Sequence, residues 1–436
     1  MIGWLGIVRL GAVQAAIGAM VMVSTSMLNR VMVVEYALAA AVPGALVGWH
    51  YAVQLSRPLW GHGSDRAPRR TPWILGGMGV LALGTLLAVN AVALLGVGTP
   101  TGTLAAILAY TLIGIGVGAA GTSLLALLAS AVAPERRAAA AAITWIMMVA
   151  GIAVSAGVAG ALLDPFSVDR LALVAGAVVL IAFLLTLVAM VGLEPRALAP
   201  SAKAHISLSE ALREIRSDPE AMRFTLFVFV SMLAYNMQDL ILEPFAGLVF
   251  AMTPGQSTQL SGVQHGGVLL GMIVAGVGGS AFARRGGGDL MLWLVGGCLG
   301  SAAALALLAA SPIAPAAWPI ALNVFLVGAM NGLFAVAAIG AMMRLAGAGA
   351  KSKPGVRMGV WGAAQAIAFG AGGLLGAVLA DAARAAIGQD GPAFGLVFAL
   401  EGGLFLVAAG LAMRLGKPAD AMASKGGLGW KATTQS

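Results

Sequence analysis

Apolar runs of about 20 residues, each ended by a short polar or basic turn, follow one another along this 436-residue chain. A helix needs about 20 apolar residues to cross the hydrocarbon core of a bilayer. Barrel strands would alternate apolar and polar positions, and that alternation is missing, so the crossing segments are helical. Twelve spans are predicted. They run from about Leu10 to Leu28, Leu38 to Leu55, Pro72 to Leu95, Leu104 to Val132, Ala138 to Leu163 and Leu171 to Leu193. After a polar interval they resume at Phe224 to Leu242, Leu260 to Ala281, Leu290 to Ala310, Trp318 to Leu345, Val356 to Ala383 and Ala393 to Leu415.

The polar interval contains SLSEALREIRSDPEAMR, which predicts a short amphipathic helix capped at Ser207 or Ser209. The expected organisation is a six-helix unit over 1–193, a cytoplasmic linker over 194–223, a second six-helix unit over 224–415 and a basic cytoplasmic tail over 416–436. The units echo each other. One offset carries His50 onto His265, Gly61 onto Gly276 and Arg69-Arg70 onto Arg284-Arg285. Nearly the same offset carries Gly114-x-x-x-Gly118 onto Gly328-x-x-x-Gly332, a spacing that lets helix backbones touch and that we read as packing. Span eleven, with Gly359, Gly362, Gly370, Gly372, Gly373 and Gly376, is either a tightly packed or sliding helix or a flat wall for a broad ligand.

Composition agrees with a membrane protein: 60% of residues are hydrophobic and 10% charged, where soluble domains carry about 25% charge. Only Arg9 precedes the first apolar run and no small-residue cleavage site follows it, which predicts a retained first span. With the amino terminus in the cytoplasm, only Arg30, Arg170 and Arg384 of the 25 basic residues fall outside, so both termini are expected inside. The net charge of +8 then marks a face turned toward anionic lipid and calls for no nucleic-acid partner. Cys298 is the lone cysteine and forms no intrachain disulfide. GAGAKSKPG around Lys351 lacks the glycine that directly precedes the lysine of a phosphate loop, so no nucleotide is expected. Metal-ligand spacings and a Ser, His and acid set are missing too, and no enzyme is expected.

Between spans two and three, Gly61-x-x-x-Asp65-Arg66-x-x-Arg69-Arg70 resembles the signature loop of the major facilitator superfamily. The glycine suits close helix approach, Asp65 a helix cap, and the arginines carboxylates, helix ends and lipid phosphates. Its second copy has Ser280 and Ala281 in place of Asp65 and Arg66, so charge locking there should be weaker. Proton-coupled members of the superfamily usually carry acids in the first span and an arginine in the fourth; here span one holds no acid between Leu10 and Leu28 and span four no charge. The interior suits something large and apolar.

A narrower resemblance covers most of the chain. Gln238-Asp239-x-Ile241-Leu242-Glu243-Pro244-Phe245 with the glycine-rich helix after it, Leu28-Asn29-Arg30-Val31-Met32 near the start, and RPLWGHGSDRAPRRTPWILGG are similar to the PucC and LhaA group, the bacteriochlorophyll-delivery family of phototrophic bacteria. The resemblance implies an all-α major facilitator fold and a role in delivering bacteriochlorophyll a or a precursor, or in assembling light-harvesting antennae. It further implies antenna polypeptides and bacteriochlorophyll synthase as partners, and the photosynthetic inner membrane as location. A small-solute transporter or a non-transporting scaffold on the same fold are the alternatives.

Few ionisable groups lie at membrane depth, and those that do are usually functional. His50 and His265 are either interhelical contacts or axial ligands to the pigment magnesium, with Gln264 and Gly266-Gly267 beside the second. Arg30 either latches the two units by pairing with an acid such as Glu243 or Asp239, or pairs locally with Glu35. Glu401, isolated in span twelve, bonds a backbone group, carries a proton or touches a ligand.

Overall fold

The computed structural model describes residues 2–133, 136–194, 219–283, 290–347 and 354–415. Ser207, Ser209, His205, Arg284, Arg285, Lys351 and the basic tail lie outside the described residues, as does the side chain of Asp65. Apart from a single bridge between Ile2 and Val132, the regular structure described is helical. The N-terminal helices are α1 (Trp4–Glu35), α2 (Ala41–Val53), α3 (Arg57–Arg66), α4 (Thr71–Gly96), α5 (Pro100–Ala131), α6 (Arg137–Leu163) and α7 (Val168–Met190). The C-terminal helices are α8 (Pro219–Met237), α9 (Leu242–Phe250), α10 (Pro254–Ala283), α11 (Leu290–Ala310), α12 (Ile320–Gly347), α13 (Pro354–Ile387) and α14 (Asp390–Ala412).

Ten helices among the described residues are long and apolar enough to cross a membrane, or eleven if α8 and α9, bent by 41°, form one broken span. The shortfall from twelve lies at the second span. With 13 residues, α2 reaches about 20 Å at about 1.5 Å per residue, short of a hydrocarbon core of about 30 Å. The chain then tightens into a 3₁₀ turn at Gln54–Ser56 and continues as the polar helix α3. The stretch expected to be a basic loop is therefore helical as far as Arg66. The first span also runs further than expected. Two π-helical turns, Val23–Met27 and Val31–Glu35, carry α1 past Leu28 and through Asn29-Arg30. A π turn takes an extra residue and so re-aims the side chains beyond it.

The lipid-facing surface is as apolar as the core. On α7, Leu173, Leu180, Ile181 and Val188 are exposed while Leu171, Val174 and Val179 are buried. Lipid tails do not penalise an outward leucine, so small residues and polar bonds, not amphipathicity, decide which faces meet. Among the N-terminal helices, α1 packs on α6 and α7, α4 on α5 and α7, and α2 on α5. Among the C-terminal helices, α8 packs on α13 and α14, α11 on α12 and α14, and α10 on α12. The contacts of α13 with α2 and of α10 with α6 join the two groups.

Candidate functional site

The signature stretch from Gly61 to Arg70 is engaged within the N-terminal helices. Gly61 is not a point of close approach, because a Cβ there would meet only the Thr122 methyl at 3.4 Å. Asp65 lies in the last turn of α3 and starts no helix. The cap on α4 comes instead from Glu194, whose Oε1 accepts the Arg70 N–H at 2.7 Å and whose Oε2 accepts the N–H and hydroxyl of Thr71 at 2.9 and 2.7 Å. Arg70 donates to Ser130 Oγ at 2.6 Å, while Arg66 and Arg69 are exposed.

At the other end of these helices, hydrogen bonds between the two groups cluster around the π turns of α1. Ser26 donates to the Glu243 carboxylate and lies 3.2 Å from Ser261 Oγ. Asn29 Nδ2 donates to the Leu240 carbonyl at 2.7 Å. The ion pair between Arg30 and Glu243 does not form. Arg30 Nη1 pairs with Glu35 at 2.8 Å, Nη2 donates to the Met252 carbonyl at 2.9 Å, and Nε donates to Ser257 Oγ at 3.2 Å. A guanidinium that is 2% exposed needs its donors filled; Glu35 supplies the charge and neutral oxygens the rest. Glu243 is held by the hydroxyls of Ser26 and Thr258. Of the two expected pairings the local one, Arg30 with Glu35, forms; across the groups Arg30 reaches only the neutral oxygens of Ser257 and Met252, and these bonds are the latch that is present. Two further carboxylates fasten this end. Asp164, after α6, accepts the Thr253 hydroxyl and the Gly255 N–H (3.1 Å) at the start of α10. Asp381, on α13, accepts the N–H groups of Ala40 and Ala41 at 3.0 and 2.7 Å, at the start of α2. Each group thus caps a helix of the other.

Deeper in, the glycine motifs press helices together at the level of the histidines. A Cβ on Gly114 of α5 would stand 2.7 Å from the His50 carbonyl, and Gly328 of α12 lies against the backbone carbonyl of the buried Gln264. Each histidine turns Nδ1 to its own helix, His50 to the Val47 carbonyl at 3.0 Å and His265 to the Ser261 carbonyl at 2.9 Å. Those contacts put the proton on Nδ1 and leave Nε2 an acceptor. Gln54 fills His50 Nε2 at 2.8 Å and in turn accepts from Arg57. His265 Nε2 has no hydrogen bond among the described residues, its side chain is only half-buried, and a Cβ on Gly266 would meet nothing within 4 Å.

Sequence reasoning passed over Tyr51 and Tyr235, because a tyrosine in an apolar run reads as packing. Tyr51 of α2, Phe369 of α13 and Tyr235 of α8 make a chain of rings across the two groups, with centroids 6.1 and 5.9 Å apart. Asp239, half-buried in the 3₁₀ turn Gln238–Leu240 between α8 and α9, interacts electrostatically with both phenols and with Glu401. Glu401 is fully buried, and neither of its carboxyl oxygens has a hydrogen-bond partner among the described residues. Separately, an apolar groove of about 960 Å³ runs between α2 and the turn from α4 to α5, with Leu38, Leu46, Trp49, Leu95 and Ile107 in its wall.

Helices of this length, packed in this order and fastened at one end, make an all-helical, multi-span membrane fold. The fold is similar to the crystal structure of a bacterial homolog to the human lysosomal transporter Spinster, inward-facing and unoccupied, with a TM-score of 0.68 at 14% identity over 94% of this chain and 96% of that one. It is equally close to the nucleoside transporter NupG, with a TM-score of 0.69 at 15% identity over 94% of this chain and 100% of that one. The chain belongs to the PUCC protein family, which matches residues 27–419. It is 52% identical over 412 residues to the bacteriochlorophyll synthase 44.5 kDa chain of Rhodobacter capsulatus, covering 94% of this chain and 95% of that one. It is 30% identical over 421 residues to Protein PucC of Cereibacter sphaeroides, covering 92% and 90%. The resemblance read from the first spans and from Gln238 to Phe245 therefore holds for the chain as a whole.

Proposed function

We propose that this protein delivers bacteriochlorophyll, or a precursor, or uses it to assemble light-harvesting antennae, in the photosynthetic inner membrane of a bacterium, and that His265 is its pigment contact. The open Nε2 of His265 carries this reading. A magnesium macrocycle takes a neutral imidazole as axial ligand, and an imidazole braced through Nδ1 offers the correct nitrogen. The bare flank at Gly266 leaves room for a flat ring. His50 is withdrawn from that role by Gln54. Gln264 and Glu401, both buried, are not assigned a ligand role. Relatives named for bacteriochlorophyll synthase and for PucC support the pigment class, with antenna polypeptides and bacteriochlorophyll synthase as partners, anionic lipid at the basic face, and neither nucleotide nor catalytic step.

In the bilayer we take α2 with α3, and α8 with α9, as single broken spans. This gives twelve spans in two related six-helix halves with both termini cytoplasmic. The matching pairs of contacts, α1 on α6 with α8 on α13 and α2 on α5 with α10 on α12, support it. Purification in mild detergent followed by an absorption spectrum tests the function. Stoichiometric pigment is expected in the wild type and in His50→Ala, and none in His265→Ala. Colourless protein, together with intact antennae in a deletion strain, would overturn the proposal. Alternating-access transport of a small solute is the second reading, favoured by the fastening at one end and by the likeness to an inward-facing structure; solute uptake lost with the latch variant Arg30→Gln would support it.

A further inference from the structure

We propose that Asp239 and Glu401 form a proton-binding pair that governs the latch between the two groups of helices. This goes beyond the pigment reading and does not depend on it. The sequence places these acids in spans seven and twelve, not in the first span where proton-coupled carriers of this fold usually hold theirs.

Glu401 lies within α14, fully buried, with two carboxyl oxygens and no donor for either among the described residues. The described cations on the elements packed on α14, the exposed Arg223 near the start of α8 and Arg384 on α13, make no hydrogen bond to it. From the end of α8 comes Asp239, which also interacts electrostatically with Tyr235 and Tyr51; the titratable side chain carried by α11 is the buried thiol of Cys298. α9 contributes Glu243, already held by Ser26 and Thr258. Arg384 on α13 is committed to Asp381 and Asp390. Two interacting carboxylates without a counter-charge are a poor occupant of a low-dielectric interior. A proton taken from water converts one to a neutral acid, and it returns to water when the acid ionises. Asp239 is half-buried and Glu401 sealed, so Asp239 is the port and Glu401 the store.

The pair sits where a charge would be felt mechanically. Asp239 occupies the turn at the 41° bend between α8 and α9, a break of the kind that holds coupling ions in carriers. The next residue, Leu240, receives Asn29, and Glu243 receives Ser26, so the turn is tied on its far side to α1. A doubly ionised pair repels across α8 and α14 and works against the bend; a protonated pair permits it.

The test uses full-length protein without pigment in lipid nanodiscs, so its failure leaves the pigment reading untouched. Infrared spectra should show the carbonyl stretch of a protonated carboxyl in a low-polarity site, lost on alkaline titration and absent from Glu401→Gln. Glu243→Gln should keep it. Hydrogen exchange over residues 251–257, corrected for intrinsic chemical rates, should quicken as the band disappears in the wild type and stay flat in Glu401→Gln and Asp239→Asn. A band that survives in both variants, a wild-type exchange profile indifferent to pH, or a response to sodium in place of protons would each overturn the proposal. The wild-type titration decides the matter even if a variant fails to fold.

Discussion

His50 and His265 occupy equivalent places on α2 and α10. Both brace Nδ1 on their own helix, and both lie where a glycine motif brings a neighbouring backbone close. They part company one turn later. Where the chain beyond α2 has Gln54 and then Arg57, the repeat has Leu269 and Met272, so a three-member polar chain is replaced by apolar side chains packed toward Trp145 and Val149. Contact with its own helix does not distinguish one histidine from the other. What separates them is whether the second nitrogen has a holder.

The largest effect should come from the feature the two sites share. Gly328→Leu drives a side chain into the Gln264 carbonyl, and Gly114→Leu into that of His50. Overpacking costs about 1–3 kcal/mol where neighbours yield, and backbone does not yield, so both variants should lose their monodisperse peak in size-exclusion chromatography. Gly61→Ala should elute and melt like the wild type. Leu269→Gln then transplants the first site into the second: with His265 Nε2 occupied, co-purifying pigment should disappear while the melting temperature holds. Pigment retained in that variant would break the comparison. The reverse change, Gln54→Leu, strips His50 and Arg57 of their partner and should cost about 1–3 kcal/mol, read as a lowered melting temperature with pigment unchanged. Smallest is Glu194→Ala, where loss of the α4 cap should cost about 1 kcal/mol in the same thermal assay.

Hydropathy made most of the architecture readable, because lipid imposes its length on every helix whatever surrounds it. The exceptions have local causes. The run from Arg57 to Arg66 is too polar to be recognised as a helix continuing a span, and Arg30 hid the end of α1 because a charge in an apolar run looks like its boundary. Residues that act at a distance were not readable at all: Glu194 caps a helix 123 residues earlier in the chain, and no spacing rule reaches that far. The histidines were found from the repeat, but their difference was legible only through positions 54 and 269, whose meaning needed the tautomer that the structure supplies. The Arg30 to Glu243 pair failed because opposite charges at similar depth need not face each other when hydroxyls lie nearer.

Asp164 and Asp381 carry one more implication. Each group of helices gives one carboxylate and receives one at a helix start, so the two fastenings are reciprocal. If the groups move as bodies, a rotation that opens this whole end withdraws both clasps together, so their release is coupled, like two prongs of a buckle on one bar.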